Sequence, residues 1–257
     1  MQRSLRVLAA SLNQESLRIY LLAAFCLVGL HYFASTGTAL RTLTELGLDG
    51  WSQYFRAWIF SGADAALNQR LFWALASDVL YLLIPLLCLR YWSDRPLKAY
   101  GLNISREPGF WKLYGYALLV MLPLVTWMAS TSAFQHLYPF YKPVLKEGWL
   151  LRWAVYELAY LSQFFALEFF FRGMLVHGLR PVLGIQAIPA MMLPYCMLHF
   201  GKPLPETIAS IAAGLVLGLV SYRSRSIALG FLLHGSVALS MDTLVLWHKG
   251  YFTAGLF

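Results

Sequence analysis

Seven stretches of roughly 20 mostly apolar residues recur along the chain, and that is the length an α-helix needs to cross a bilayer. They fall at roughly 17–37, 70–91, 112–133, 149–175, 181–200, 205–222 and 226–247. Hydrocarbon offers the backbone no hydrogen bonds, so segments of this length must satisfy their own amides as helices. The expected fold class is all-α: a polytopic transmembrane helix bundle of about seven spanning helices. Composition agrees, with 59% hydrophobic and only 12% charged residues, where a soluble domain carries about 25% charged. No repeat, low-complexity tract or linker interrupts the pattern, so 1–257 is read as a single membrane-embedded domain. The stretch 1–17 is polar with scattered apolar residues and does not read as a cleavable signal.

One region departs from the spanning pattern. Between 39 and 62, Trp51, Tyr54, Phe55, Trp58 and Ile59 recur at helical spacing with Ser52, Gln53 and Arg56 between them. That arrangement predicts an amphipathic helix lying in the membrane interface.

The formal net charge is +8. In a membrane protein, basic residues set topology and meet anionic headgroups, so no nucleic-acid partner is inferred and the bilayer itself is the expected partner. Arg90, Arg95, Lys98, Arg106 and Lys112 cluster between the second and third spans, which predicts a cytoplasmic loop. Counting spans from it places Arg3, Arg6, Arg18, Arg180, Arg223 and Arg225 on the same side, with the N-terminus. Arg41, Arg56, Arg70, Lys142, Lys146, Arg152, Lys202 and Lys249 fall on the opposite side, with the C-terminus. Cys26, Cys88 and Cys196 all lie in apolar stretches and read as free thiols.

The chemistry-bearing residues stand out against this background. Glu168 sits in the middle of an apolar run, with Arg172 one helical turn later; His199 ends another run, and His234 lies deep in the last. An ionisable group inside a span costs roughly 2.5–3.5 kcal/mol on insertion scales, so each is a functional-site candidate. Glu168 and Arg172 share a helix face and can form a buried ion pair that neutralises both charges. Alternatively, Arg172 orients a carboxylate that positions water. Glu157, eleven residues earlier, projects within about 20° of Glu168 on an ideal helix. His199 and His234 with Glu168 can activate water by general-base catalysis. The same three are also a candidate His₂Glu set for a divalent metal such as zinc, although the HExxH spacing is absent. Asp242 and Asp78 read as helix-to-helix hydrogen bonders, and His31, His136, His177 and His248 as ordinary residues near span ends or in loops. Ser210, Gly214 and Gly218 form a small-residue stripe that lets helices approach closely.

Taken together, these segments resemble the CPBP family, the CAAX proteases and bacteriocin-processing enzymes also called Abi. The family pattern of Glu-Glu-x-x-x-Arg, Phe-x-x-x-His and His-x-x-x-Asn/Asp is matched by Leu167-Glu168 to Arg172, Tyr195 to His199, and His234 to Ala238. Gly173, the run from Phe200 to Pro203, Gly214 with Gly218, and the Tyr-Gly-Leu ending at Leu102 add to the likeness, which is strongest over 150–247. The resemblance implies an intramembrane endopeptidase, with Glu168, Arg172, His199 and His234 as its catalytic residues. It would cut a peptide or protein substrate at the membrane, in the plasma membrane of a bacterium, with no cofactor required and zinc as the candidate metal. Two positions depart from the pattern. Leu167 stands where the family's first glutamate serves as general base, and Ala238 where an Asn or Asp supports the last histidine. Three readings follow: an active branch with Glu168 as base and Tyr195 or Asp242 supplying the lost hydrogen bonds; an inactive relative that binds a peptide or partner membrane protein; or a purely structural or transporter-like bundle.

Overall fold

The computed structural model describes residues 13–62, 64–103, 109–144 and 148–252, and among them every regular element is helical. Arg3, Arg6, Arg106 and Lys146, which entered the charge count, lie outside the described residues. Five helices are long and apolar enough to cross a membrane: Gln14–Phe33, Ala65–Trp92, Phe110–Ala129, Leu204–Ser224 and Ala228–His248. Of the two other expected spans, 149–175 is helical throughout and 181–200 needs correction. The first is a helix, Trp149–Glu168, continued by a π-helical segment, Phe169–His177. The second shortens to Ala187–Met197, whose 11 residues rise only about 16 Å, roughly half the hydrocarbon thickness.

Local sequence explains several boundaries. Asn13 begins the first long helix by accepting the Ser16 amide at 2.9 Å, a side-chain N-cap. A π-helical segment, Val79–Leu83, sits just before Pro85, whose missing N–H cannot bond the carbonyl four residues back. The helix Leu204–Ser224 has proline in its first turn, Glu206 near its positive end and Arg223 near its negative end. Between the helices Ala187–Met197 and Leu204–Ser224 the chain turns at Gly201, whose φ of +89° favours glycine.

The region 39–62 forms two helices, Thr36–Glu45 and Asp49–Phe60. On the second, Trp51, Tyr54 and Trp58 are exposed while Ser52 and Ile59 are buried. The aromatic side thus points away from the protein, as an interfacial helix requires. Cys26, Cys88 and Cys196 are free thiols.

The chain packs as two compact units that exchange within helices. The first comprises the described parts of 1–28, 80–106 and 167–230; the second those of 29–79, 107–166 and 231–257. The first unit's interior is aromatic. Tyr81 lies against Phe170 at 4.5 Å between ring centres, and Phe171 meets the Tyr195 ring at 5.4 Å. Ser210, Gly214 and Gly218 are buried in the same unit, and a Cβ on Gly214 would stand 2.9 Å from Met192. The stripe therefore sets the approach of Leu204–Ser224 to Ala187–Met197. The second unit's interior gathers Leu67, Tyr141, Tyr156, Tyr160 and Ala238 in one cluster, and Ala129, Phe134, Tyr138 and Val245 in another.

Candidate active site

Glu168 is the last residue of its α-helix, and Arg172 lies in the π-helical segment that follows. Both side chains are fully buried, with Arg172 Nη1 3.1 Å from Glu168 Oε1. A charge at that depth persists only with a partner, and here each supplies the other's. The Arg172 guanidinium also lies 4.1 Å from the centre of the Tyr195 ring. A planar cation over a π-face gains attraction that grows as water is removed.

Tyr195 connects this pair to the first histidine. Its ring centre is 4.9 Å from that of His199, one turn later on the chain. The Tyr195 carbonyl lies 3.0 Å from His199 Nδ1. A carbonyl only accepts, so Nδ1 carries the proton in the neutral ring and Nε2 is the basic nitrogen. The His199 carbonyl accepts from Thr207 Oγ1 at 2.8 Å and from the Lys202 amide at 3.1 Å, which pins the turn behind the ring. Glu168, Arg172, Tyr195 and His199 thus form one continuous set of contacts within the first unit.

Gly230 belongs to the same set. A Cβ there would collide with the Glu168 carboxylate, so only glycine leaves that space. Gly173 plays a similar part, because a Cβ on it would sit 2.7 Å from the Tyr100 carbonyl oxygen.

His234 lies in the second unit, half-buried and stacked on Phe164 at 5.4 Å with 21° between the rings. Asp242, in the same unit, accepts from the Tyr156 hydroxyl at 3.3 Å, and Glu157 is its buried electrostatic neighbour. Asp78 accepts from Ser162 Oγ at 2.7 Å, joining two helices. Leu167 and Ala238 are both buried, so the two departures from the family pattern are apolar residues in apolar surroundings. Among the described residues, no group of three His, Cys, Asp or Glu side chains is disposed to hold a metal ion.

Sequence reasoning misplaced His177. It is buried, not an ordinary residue of a span end, and its Nε2 lies 3.1 Å from Ser221 Oγ. It also missed Gly230 and the bridging position of Tyr195. The four-residue spacing of Gly230 to His234 and of Tyr195 to His199 is the signal that reads these pairs as one helix face.

Residues 148–240 match a family model described as type II CAAX prenyl endopeptidase Rce1-like. The chain carries an Rce1-like domain. Glu168, Arg172, Tyr195, His199, Gly230 and His234 all lie inside the matched segment, as do Leu167 and Ala238. That segment is similar to the CAAX-protease-like membrane proteins of the CPBP family. No curated protein and no solved structure matches the chain.

Proposed function

We propose that the protein is an intramembrane endopeptidase that hydrolyses a peptide bond of a membrane-associated or lipidated protein. The observation that carries this reading is the run Glu168–Arg172–Tyr195–His199, buried from Glu168 to Tyr195 and half-buried at His199, inside the Rce1-like domain. A simple ion pair needs neither the tyrosine bridge nor a histidine of fixed tautomer at its end.

In the proposed reaction, Glu168 and His199 Nε2 orient a water and take its proton as oxygen attacks the carbonyl carbon. Arg172 keeps the carboxylate in one rotamer by its 3.1 Å contact. The motif assigns His234 the developing oxyanion, a contribution that elsewhere is about 3–4 kcal/mol. The abstracted proton then passes to the leaving amine as the C–N bond breaks, giving one carboxylate and one amine terminus.

A second reading has its own observation: Leu167 and Ala238 are buried and apolar where the family pattern is polar. On that reading the protein binds a peptide or partner without cutting it. The two separate in a cleavage assay with a lipidated membrane-bound reporter. Glu168→Gln and His199→Ala are each expected to slow cleavage by about 100-fold or more while eluting as wild type from a sizing column. Unchanged cleavage in both variants removes the hydrolytic role of this set; an inert wild type supports the binding role.

A further inference from the structure

The proposed hydrolysis leaves one concentration of charge unused. At one end of the first unit, Arg95, Lys98, Arg180 and Arg225 line a cavity of about 650 Å³ together with His177 and Tyr222, and among the described residues no acidic side chain lines it. Like charges gathered around one space repel each other, and an anion within it relieves the repulsion.

Neutral groups orient two of these cations, Arg95 and Arg180. Arg95 Nη2 donates to the His177 carbonyl at 3.1 Å, and its guanidinium lies 4.7 Å from the Tyr100 ring centre. That carbonyl is open to Arg95 because Pro181, four residues on, has no N–H to offer it. Arg180 Nη1 donates to the Tyr222 carbonyl at 2.9 Å, with its guanidinium 4.0 Å over the Tyr222 ring. Carbonyls and ring faces fix the direction of a guanidinium without cancelling its charge. Glu15 opposes them from 3.8 Å beyond Arg95 Nη1, and that nitrogen is buried with no hydrogen-bond acceptor among the described residues.

Arg225 adds an independent sign. It ends the helix Leu204–Ser224 in the left-handed conformation, φ +55°, where glycine or asparagine is favoured. Asn103 Nδ2 fixes its carbonyl at 2.8 Å. A left-handed arginine carries a backbone cost that a glycine would not, so its place here is an outlier that points to its side chain. His177 feels the same field: burial first, then Arg180, Arg95 and Arg225, push its imidazole down to about 4.

We propose that this cavity binds the phosphate of an anionic phospholipid headgroup. Guanidinium forks match phosphate oxygens in pairs. Arg95 and Lys98 follow the spanning helix Ala65–Trp92 within a few residues, and Tyr222 and Arg225 lie at the end of Leu204–Ser224, at the level where headgroups lie. Tyr91 and Trp92 are exposed next to it in sequence, the residue types found at that depth. Basic pockets between spanning helices on the cytoplasmic side take such headgroups. This site is independent of the hydrolytic reading.

The test uses the full chain in detergent, with thermal midpoints and native mass spectra recorded in phosphatidylglycerol, phosphatidylcholine or inorganic phosphate. Phosphatidylglycerol should raise the midpoint and remain bound, and zwitterionic phosphatidylcholine should do neither. Lys98→Gln should weaken retention about fivefold, and Lys98→Gln with Arg225→Gly about 25-fold, one step per removed charge. Arg225→Gly alone relieves left-handed strain, so its lipid-free midpoint should equal or exceed wild type while retention falls. Three results overturn the proposal: undiminished retention by the double variant, equal retention of phosphatidylcholine, or inorganic phosphate matching phosphatidylglycerol at the same concentration. The last would assign the cavity to a soluble phosphate.

Discussion

Glu168 and His199 are visible in the sequence because ionisable residues are rare in apolar runs, and rarity there is costly to maintain. What holds them is less visible. Tyr195 is one aromatic among many in the chain, and only its place between Arg172 and His199 gives it a role. His177 reads from sequence as an ordinary residue beyond a span, since nothing local announces that Arg95 and Arg225 arrive from distant segments to join Arg180 beside it. It offers a direct check through pH. Its folded-state value is about 4, against an ordinary 6.5. As pH falls, the unfolded chain takes up this proton first, so the stability tied to neutral His177 is complete above about 6.5. It is lost as pH falls from 6.5 to 4 and changes no further below that window. The facing groups are Arg95, Arg180 and Arg225, which stay charged throughout, and the Ser221 hydroxyl. Wild type should therefore lose roughly 2–3 kcal/mol more than His177→Asn between pH 7 and pH 4, read from denaturation midpoints. Equal pH profiles would show that the imidazole is not the sensing group.

At the scale of elements, apolar periodicity gives helices almost everywhere they occur, because only helices satisfy the backbone in hydrocarbon. It does not give their internal irregularities. The π-helical segments Val79–Leu83 and Phe169–His177 depend on packing and on Pro85 and Pro181 releasing carbonyls, not on hydrophobicity. Nor does it distinguish Ala187–Met197, an 11-residue helix, from a full span, since its apolar run continues into the turn before Gly201. Gly173 shows how tightly the second π-helical segment is seated. An added Cβ would stand 2.7 Å from the Tyr100 carbonyl oxygen and 2.9 Å from the Phe169 ring. Alanine has the better helix propensity by about 1 kcal/mol. Contact with a backbone oxygen at that distance outweighs it, because overpacking costs about 1–3 kcal/mol. Gly173→Ala should therefore lower the unfolding midpoint. Gly115→Ala, in Phe110–Ala129 with no neighbour within 4 Å of the added carbon, should hold or raise it. If both substitutions behave alike, close approach at Gly173 is not what fixes the segment.

For the whole molecule, the distribution of charge gives a sidedness that the helices can be compared with. Arg95, Arg180 and Arg225 line one cavity, so between 95 and 180, and again between 180 and 225, the chain leaves one end of the first unit and returns to it. The second return is made by Ala187–Met197 and Leu204–Ser224, the shorter helix serving as one arm of a hairpin. In the second unit, Lys249 Nζ donates to the Gln135 carbonyl at 2.6 Å, and Lys142 Nζ donates to His136 at 2.8 Å. Arg152 pairs with Asp64 at 2.6 Å, and Trp149 packs on Tyr251 at 5.8 Å. Within the first unit Arg95, Arg180 and Arg225 form one set, and within the second Lys142 and Lys249 form another. The excess of Lys and Arg between 90 and 112 predicts that the first set faces the cytoplasm. A reporter inserted near Arg106 should be active in the cytoplasm, and one fused after Phe257 should be active only outside it. The pattern should survive Lys142→Gln with Lys249→Gln, because removing charge from the outer set strengthens the bias that orients the chain. A cytoplasmic C-terminal reporter paired with an external one at 106 would invert the orientation and move the phosphate-binding cavity to the outer leaflet.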